Sequence, residues 1–508
     1  MNPFSLQHVL LLLLCILHLR LVTAVSTPSF RDVTLPVGID LRYGNAKKYG
    51  SPAVVDLDRD GLPDLLFCHH DTTFTELYYN NGDGTFHKPH WGIFHDSHGF
   101  SAFPVSPWQK HMRFTLSVGG NWGRDPAHPL MFQVDPYNRS ITEVTQSAGI
   151  TVQGGRGRTA VYMDLSMGAH PYWPDVIYTN GKALQGPSQF AYENVGHHKF
   201  EPRTLHGPYK WSLNPLATVT DMNNDGTMEL VAYWNLHVYK LTAPFTLQDI
   251  SDDVLPRGLD RRAVLAVAEI DFDNDGDFDL YIARARVGKW MPDVVYEDYL
   301  LENRNGRYVE VGAQAGIPRG LASRGVTVGD FNNDGFMDIH VTQFSGSDVV
   351  LLNNGDGTFR RVDWLTRHGP TTRGDHAVAV DYDMDGKVDL VMSEGHQDEV
   401  ELGGTFRIFK NTIPDHAAGN YIHVRVGNPW DRSCTPLNAV VFVRSGNLRM
   451  WRRVGSPGDS VSHSYLETLH FGLGSRTKVD AIYVKYTNGY VVQRHNVTHG
   501  QTVVMGWV

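Results

Sequence analysis

Cysteine is scarce in this chain: three residues in 508, at positions 15, 68 and 434. A fold held by a disulfide framework is therefore excluded. Beyond residue 24, Cys68 and Cys434 are either one bridge or two separate buried thiols, and the sequence leaves both open. Basic residues are also in deficit, with 45 Lys and Arg against 55 Asp and Glu and a net charge of -10. That balance argues against nucleic acid as a partner, because phosphate binding needs a basic face. Long apolar runs are missing as well. The one near the start, Val9 to Leu17, is cut short of a membrane span by Arg20. It is followed by the small-residue stretch Val22, Thr23, Ala24, so residues 1–24 read as a signal peptide and the chain as secreted, with no transmembrane span. No P-loop, H-E-x-x-H or nucleophile elbow is present.

Glycine, by contrast, is abundant at 50 residues, which predicts many tight turns and many short strands. The strongest signal is an internal repeat. Asp271, Asp273, Asp275, Gly276 and Asp279 set a D-x-D-x-D-G-x-x-D pattern, repeated at Asp56, Asp58, Asp60, Gly61, Asp64 and at Asp381, Asp383, Asp385, Gly386, Asp389. Variants carrying Asn or Glu stand at Asp221, Asn223, Asp225, Gly226, Glu229 and at Asp330, Asn332, Asp334, Gly335, Asp338.

Strand-like stretches precede and follow each loop, and further on an Asn ends a strand before an Asn-Gly or Asp-Gly turn and an aromatic, as at Asn80 to Phe86 and Asn353 to Phe359. Each unit is thus four short antiparallel strands. The later loops lie about 50 to 60 residues apart, the length of a propeller blade. Two degenerate units fit between residues 99 and 212, giving seven units that start near Ser51, Gly99, Gly157, Leu213, Arg262, Arg324 and Asp375. Several units end in a short strand followed by Ala-Gly-Ile, as at Ile150 and Ile317. The seventh lacks one, while Phe30 to Ile39 has nearly that form ahead of the first unit. The N-terminal strand is therefore expected to close the ring.

Asp is short enough for residues 1, 3 and 5 of a tight loop to reach a central ion, and Gly at position 6 permits the turn. Position 9 adds a carboxylate. Position 7, occupied by Leu62, Thr227, Asp277, Phe336 and Lys387, can offer a backbone carbonyl. All-oxygen ligation suits calcium and suits zinc or copper poorly. An EF-hand is rejected: it needs Glu at position 12, where this chain has Phe67, Ala232, Ile282, Val341 and Met392. Metal-free Asp-Gly turns are disfavoured because three or four acids in one turn repel one another unless a cation neutralises them. About five structural calcium ions are expected.

The repeat resembles the FG-GAP units of the integrin α-subunit propeller, over roughly residues 30 to 411. The resemblance implies calcium in the loop joining the first and second strands of each blade, all on one face of the ring. The expected layout is an all-β chain with a seven-bladed propeller over residues 25–412 and a linker over 413–419. A small β-sandwich over 420–508 completes it. Leu469 to Gly474, Val479 to Val484 and Asn488-Gly489 resemble the ASPIC/UnbV domain, which follows an FG-GAP propeller in proteins of the cartilage acidic protein family. Tyr486-Thr487 departs from that family's usual Trp-Pro.

These features point to an extracellular binding, adhesion or matrix module, not an enzyme, with an extracellular protein or glycan as partner. The alternative is a propeller enzyme acting on glycans through a carboxylate pair. The long connection after Tyr281 to Ala283, with Arg284, Arg286, Lys289, Trp290 and Met291, is a candidate partner-binding loop, unless Trp290 folds back on its own blade. Arg373-Gly374-Asp375 reads as the lead-in to a strand, not as an adhesion signal, because Arg324-Gly325 holds the same place in the preceding unit. Adjacent histidines at His69-His70 and His197-His198 point to opposite faces of a strand and chelate poorly. Asn138 and Asn496 head glycosylation sequons.

Overall fold

The structure is a computed structural model. It describes residues 26–508 apart from 41–49, 70–72, 105, 109, 120–126, 153, 155, 169–172, 182–188, 197–198, 208–215, 285–295, 345, 368–371 and 397–404, with 73, 364–367, 372–373 and 395–396 described as backbone alone. Residues 1–24, expected to be a signal peptide, lie outside the described residues, as do His70, His197, His198 and the loop residues Arg286, Lys289, Trp290 and Met291.

Seven four-stranded antiparallel sheets form the blades. Their innermost strands are Pro52–Val55, Ser97–Pro104, Arg156–Met163, Leu216–Thr220, Val264–Ile270, Ser323–Gly329 and Thr372–Val380, and each packs beside the next until the seventh meets the first. Inner strands such as Pro52–Val55 and Ser97–Pro104 are buried on both faces, because blades stack face to face around the axis. Aromatic pairs fill the gaps between blades: Phe67 stacks on Phe406 at 4.1 Å between centroids, and Phe103 on Tyr162 at 3.9 Å.

The ring closes as the sequence predicts. Phe30–Asp32 pairs antiparallel with Thr405–Asn411, so the N-terminal strand is the fourth strand of the seventh blade. The segment after it continues the repeat. Phe86 donates its backbone N–H to Val37 at 2.7 Å, as Phe200 does to Ala148 and Phe359 to Ala315. The Ala-Gly-Ile turns and Val37-Gly38-Ile39 thus each seat on the outer strand of the following blade.

Beyond Asn411 two further sheets face each other. One runs Thr468–Gly474, Asn420–Val426, Thr502–Met505, the last pair parallel, and the other Leu448–Arg453, Val440–Ser445, Lys478–Lys485, Val491–Thr498. Their facing side chains, among them Val424, Phe471, Val441, Met450 and Val484, belong to one core with Val55, Leu57, Phe114 and Phe132 of the first two blades. Cys68 and Cys434 are both buried and unbridged.

Besides the connection between Asn411 and Asn420, this domain reaches back into the ring. Its segment from Gly455 to Glu467 enters the ring along the axis. Ser464 Oγ accepts from Val54 N at 3.0 Å, and Ser462 Oγ from Phe100 N at 3.1 Å. His463 Nε2 meets Thr159 Oγ1 at 3.2 Å, and Asp459 accepts from Thr218 Oγ1. Val267 exchanges two backbone hydrogen bonds with Asp459, and Val328 N donates to Pro457 at 2.9 Å. The first six blades are thereby touched in turn. An inner strand leaves its axis-facing backbone groups unpaired, and the inserted segment satisfies them where water would otherwise be needed.

Candidate metal centres on the Asp-loop face

Each Asp loop follows the innermost strand of its blade and leads into the second, so all five open on one face of the ring. Their local geometry repeats. The position 1 carboxylate accepts the position 6 Gly N–H, as Asp56 does from Gly61 at 2.9 Å and Asp221 from Gly226 at 2.8 Å. Position 5 accepts the position 7 N–H: Leu62 to Asp60, Thr227 to Asp225, Asp277 to Asp275, Phe336 to Asp334 and Lys387 to Asp385. Position 9 accepts the position 2 N–H, at Asp64, Glu229, Asp279, Asp338 and Asp389.

Position 9 therefore has a structural role that the ligand pattern alone does not reveal. Asp64, Asp279, Asp338 and Asp389 also accept the backbone N–H of Asn80, Asn303, Asn353 and Asn411 in the third strand. Each of those Asn side chains then donates to a position 2 carbonyl in the preceding blade: Asn80 to Tyr382, Asn303 to Met222, Asn353 to Phe272 and Asn411 to Phe331. The strand-ending Asn that the sequence offered as a turn signal is an inter-blade staple. In the degenerate third blade Asp175 keeps the position 9 role, accepting from Leu165, Ser166 and Asn194.

Three loops bring carboxylate oxygens within 4.8 Å of one another: Asp56, Asp58 and Asp64; Asp271, Asp273 and Asp279; Asp381, Asp383 and Asp385. No such trio forms, among the described residues, in the two variant loops, where Asn223 and Asn332 donate to Asp225 and Asp334 at 2.9 Å. The position 7 side chains stand outside the trios. Lys387 Nζ reaches Asp415 at 2.7 Å, and Asp277 accepts from Asn224 at 2.9 Å, clipping the fifth loop to the fourth.

Basic side chains share the first and seventh loops. Arg139 Nε lies 2.5 Å from Asp58, and Lys410 pairs with Asp383 and stands 3.0 Å from Asp385. The fifth loop differs: among the described residues no Lys, Arg or His forms an ion pair with Asp271, Asp273, Asp275 or Asp279. Burial pushes the Asp271 carboxyl up to about 8 against the pull of Arg452, and the repulsion of Asp273 and Asp275 adds to it. Burial and Asp275 push Asp273 up to about 6. Asp271 Oδ2 is buried without a hydrogen-bond partner, as are Asp56 Oδ1 and Asp383 Oδ1. Orphaned carboxylate oxygens converging in a loop of oxygen donors fit a hard divalent cation, which would reverse those shifts.

The C-terminal domain covers this face. Its side chains or backbone lie over the position 6 glycines: Arg425 at Gly61, Thr487 at Gly226, Trp451 at Gly276, Leu448 at Gly335 and Tyr421 at Gly386. Gly386 combines a φ of +86° with a Tyr421 ring so near that an added Cβ would sit 1.9 Å from it. Glycine is required there both for the turn and for the approach.

A family model described as FG-GAP-like repeat matches residues 271–341 and 330–392, and one described as ASPIC and UnbV matches residues 435–506. The chain carries FG-GAP-like repeats and an ASPIC/UnbV domain. It is 30% identical over 195 residues to cartilage acidic protein 1 of Mus musculus, covering 34% of this chain and 30% of that protein. To cartilage acidic protein 1 of Xenopus tropicalis it is 33% identical over 153 residues, 28% of this chain and 23% of the other. The match spans less than a third of either relative's own length. Among solved structures, the BP39L lectin of Burkholderia pseudomallei aligns with a TM-score of 0.45 and 9% identity, over 71% of this chain and 98% of the lectin. An α-L-arabinofuranosidase mutant of Fusarium graminearum aligns at 0.37 and 10%, over 76% and 96%. Likenesses this loose carry no argument for either activity.

Two further expectations meet the structure here. Arg284 is not a free binding residue: it is buried, donates to the Arg262 and Glu297 carbonyls, lies 3.2 Å from Asp260 and stacks over Tyr296 and Tyr299. Asp375 of the Arg-Gly-Asp tripeptide is buried, with Arg324 Nε 2.5 Å from its carboxylate, which suits a strand lead-in. No described helix is long and apolar enough to cross a membrane.

Proposed function

We propose that this protein is a secreted, calcium-loaded, non-catalytic module that binds an extracellular protein or glycan. The observation that carries the calcium reading is the fifth loop, where Asp271, Asp273 and Asp279 converge and, among the described residues, form no ion pair with a basic side chain. Calcium in these loops would stiffen the face on which the C-terminal domain rests. The similarity to cartilage acidic protein 1 supports an extracellular setting. Asn138 and Asn496 are both exposed, as glycan acceptors must be.

With the Asp-loop face covered, partner contacts fall to the opposite rim or to the outer surface of the C-terminal domain. On the opposite rim, Phe74 and Phe94 are 55% and 54% exposed with ring centroids 5.3 Å apart. Exposed paired aromatics are a surface that a partner can desolvate with gain. The glycan-hydrolase alternative has no comparable support: Glu269 and Glu467, near the axis, are engaged by Arg453 and Arg59.

Chelation is the test. Excess chelator should lower the melting temperature substantially, because ions that bind only the folded state stabilise it by mass action. Asp273→Asn should remove one calcium from a titration, while Asp277→Asn should leave the count unchanged. A melting curve indifferent to chelator would overturn the reading.

A further inference from the structure

Two histidines that are far apart in sequence meet beneath the seventh loop. His423 lies on Asn420–Val426 and His470 on Thr468–Gly474, and they are directly opposed partners in the antiparallel register. Opposed residues on neighbouring strands share a face, unlike adjacent residues on one strand. His470 Nδ1 and His423 Nε2 are 3.1 Å apart, and His423 Nε2 is 3.1 Å from Asp381 Oδ2. The three ligand atoms lie within 4.8 Å of one another.

The hydrogen bonds around them fix which atoms carry lone pairs. Asn333 Nδ2 donates to the carbonyls of Gly386 at 2.7 Å and Gly419 at 3.1 Å. Its Oδ1 is therefore the acceptor that faces His470 Nε2 at 2.6 Å, so Nε2 bears the ring proton and Nδ1 is bare. A second acceptor, the Asp381 carboxylate, faces the same nitrogen of His423. A single proton on His423 Nε2 would have to divide between two acceptors, whereas a cation can satisfy all three groups.

We propose that Asp381, His423 and His470 form a transition-metal site of the zinc-binding class, clasping the seventh blade to the C-terminal domain. Ligands of a tetrahedral zinc ion at bond lengths of about 2.0–2.1 Å stand roughly 3.3 Å apart, close to both measured separations. Imidazole nitrogens suit zinc and suit calcium poorly, which separates this site from the all-oxygen loops. Asn333 supplies the outer hydrogen bond that orients a metal-bound imidazole. Asp381 and His423 are 5% and 3% exposed, so solvent competes little.

Asp381 is also the position 1 carboxylate of the seventh Asp loop, whereas His423 and His470 belong to this site alone, so the test holds calcium saturating and varies only the histidines. The full chain is held in excess calcium and titrated with zinc by calorimetry, with melting followed in parallel. One zinc per chain should bind and raise the melting temperature. His423→Gln and His470→Gln should each weaken that binding roughly hundredfold while leaving calcium stoichiometry and chelator sensitivity intact. Cobalt in place of zinc should give visible absorption bands of a cobalt centre bound by imidazole, lost in both variants. Zinc binding unchanged by both substitutions overturns the inference. If neither variant folds, a wild-type cobalt complex without those bands overturns it equally.

Discussion

Arg425 of the C-terminal domain donates from Nη2 to Asp56 Oδ2 of the first-blade loop at 2.8 Å, across 369 residues of sequence. Both side chains are buried. Glu467, from the end of the inserted segment, lies 3.5 Å from Arg425 Nε and pairs with Arg59 of the same loop. The cluster joins the propeller loop, the capping sheet and the axial segment in one charge network.

Truncating Arg425 should separate docking from packing. Arg425→Met keeps most of the apolar stem but removes the guanidinium that donates to Asp56, and losing one partner of a buried pair costs about 3–5 kcal/mol. The expected result is a lower midpoint in denaturant and faster protease cleavage between Gly455 and Glu467. Asp56→Asn should cost less, because its amide oxygen can still accept from Gly61 and Arg425. A variant within about 0.5 kcal/mol of wild type would mean that the pair contributes little.

The ring-closing strand offers a second test. Phe30 is buried against Phe331 at 5.7 Å, and Asp32 pairs with Arg407 at 2.7 Å. Phe30→Ala should destabilise by about 3–5 kcal/mol through the cavity it leaves. Removing residues 26–34 should uncover the edge of Thr405–Asn411 and produce concentration-dependent aggregation, visible by light scattering on a sizing column. Monomeric behaviour of that deletion would show that the edge is protected some other way.

Acid sensitivity should trace in part to His376 on the seventh inner strand. Burial lowers its pKa from 6.5 to about 4, against the opposing pull of Asp459. A histidine held neutral in the fold but free to protonate when unfolded stabilises fully above pH 6.5, and that contribution is lost as pH falls towards 4. The loss is on the order of 3 kcal/mol over the window. In denaturant melts from pH 7 to pH 4, His376→Leu should show a shallower decline than wild type. Parallel declines would exclude His376 as the source.

Much of the ring was legible in the sequence because its determinants are local. The Asp-x-Asp-x-Asp-Gly spacing sets a turn through hydrogen bonds spanning two to seven residues, such as Gly61 to Asp56 and Leu57 to Asp64. A local pattern repeated at blade length is visible without coordinates. The closing strand was legible for the same reason, since Val37-Gly38-Ile39 copies a turn found elsewhere in the chain. Even so, the double role of position 9 and the inter-blade reach of Asn80, Asn303, Asn353 and Asn411 were not, because their partners lie in another blade.

By itself, the sequence determined that this chain is a repeating β-ring with acid-rich loops followed by a second β-domain. Only the tertiary structure decided that the second domain caps the Asp loops and threads the axis, that Arg284 is buried, and that His423 and His470 face Asp381. Contacts such as Arg425 with Asp56 or Ser462 with Phe100 join single residues hundreds of positions apart. They follow no period, and nothing in either local stretch is altered by the partner it will meet. Such pairings are fixed by how two independently patterned surfaces fit, and that fit exists only once both have folded.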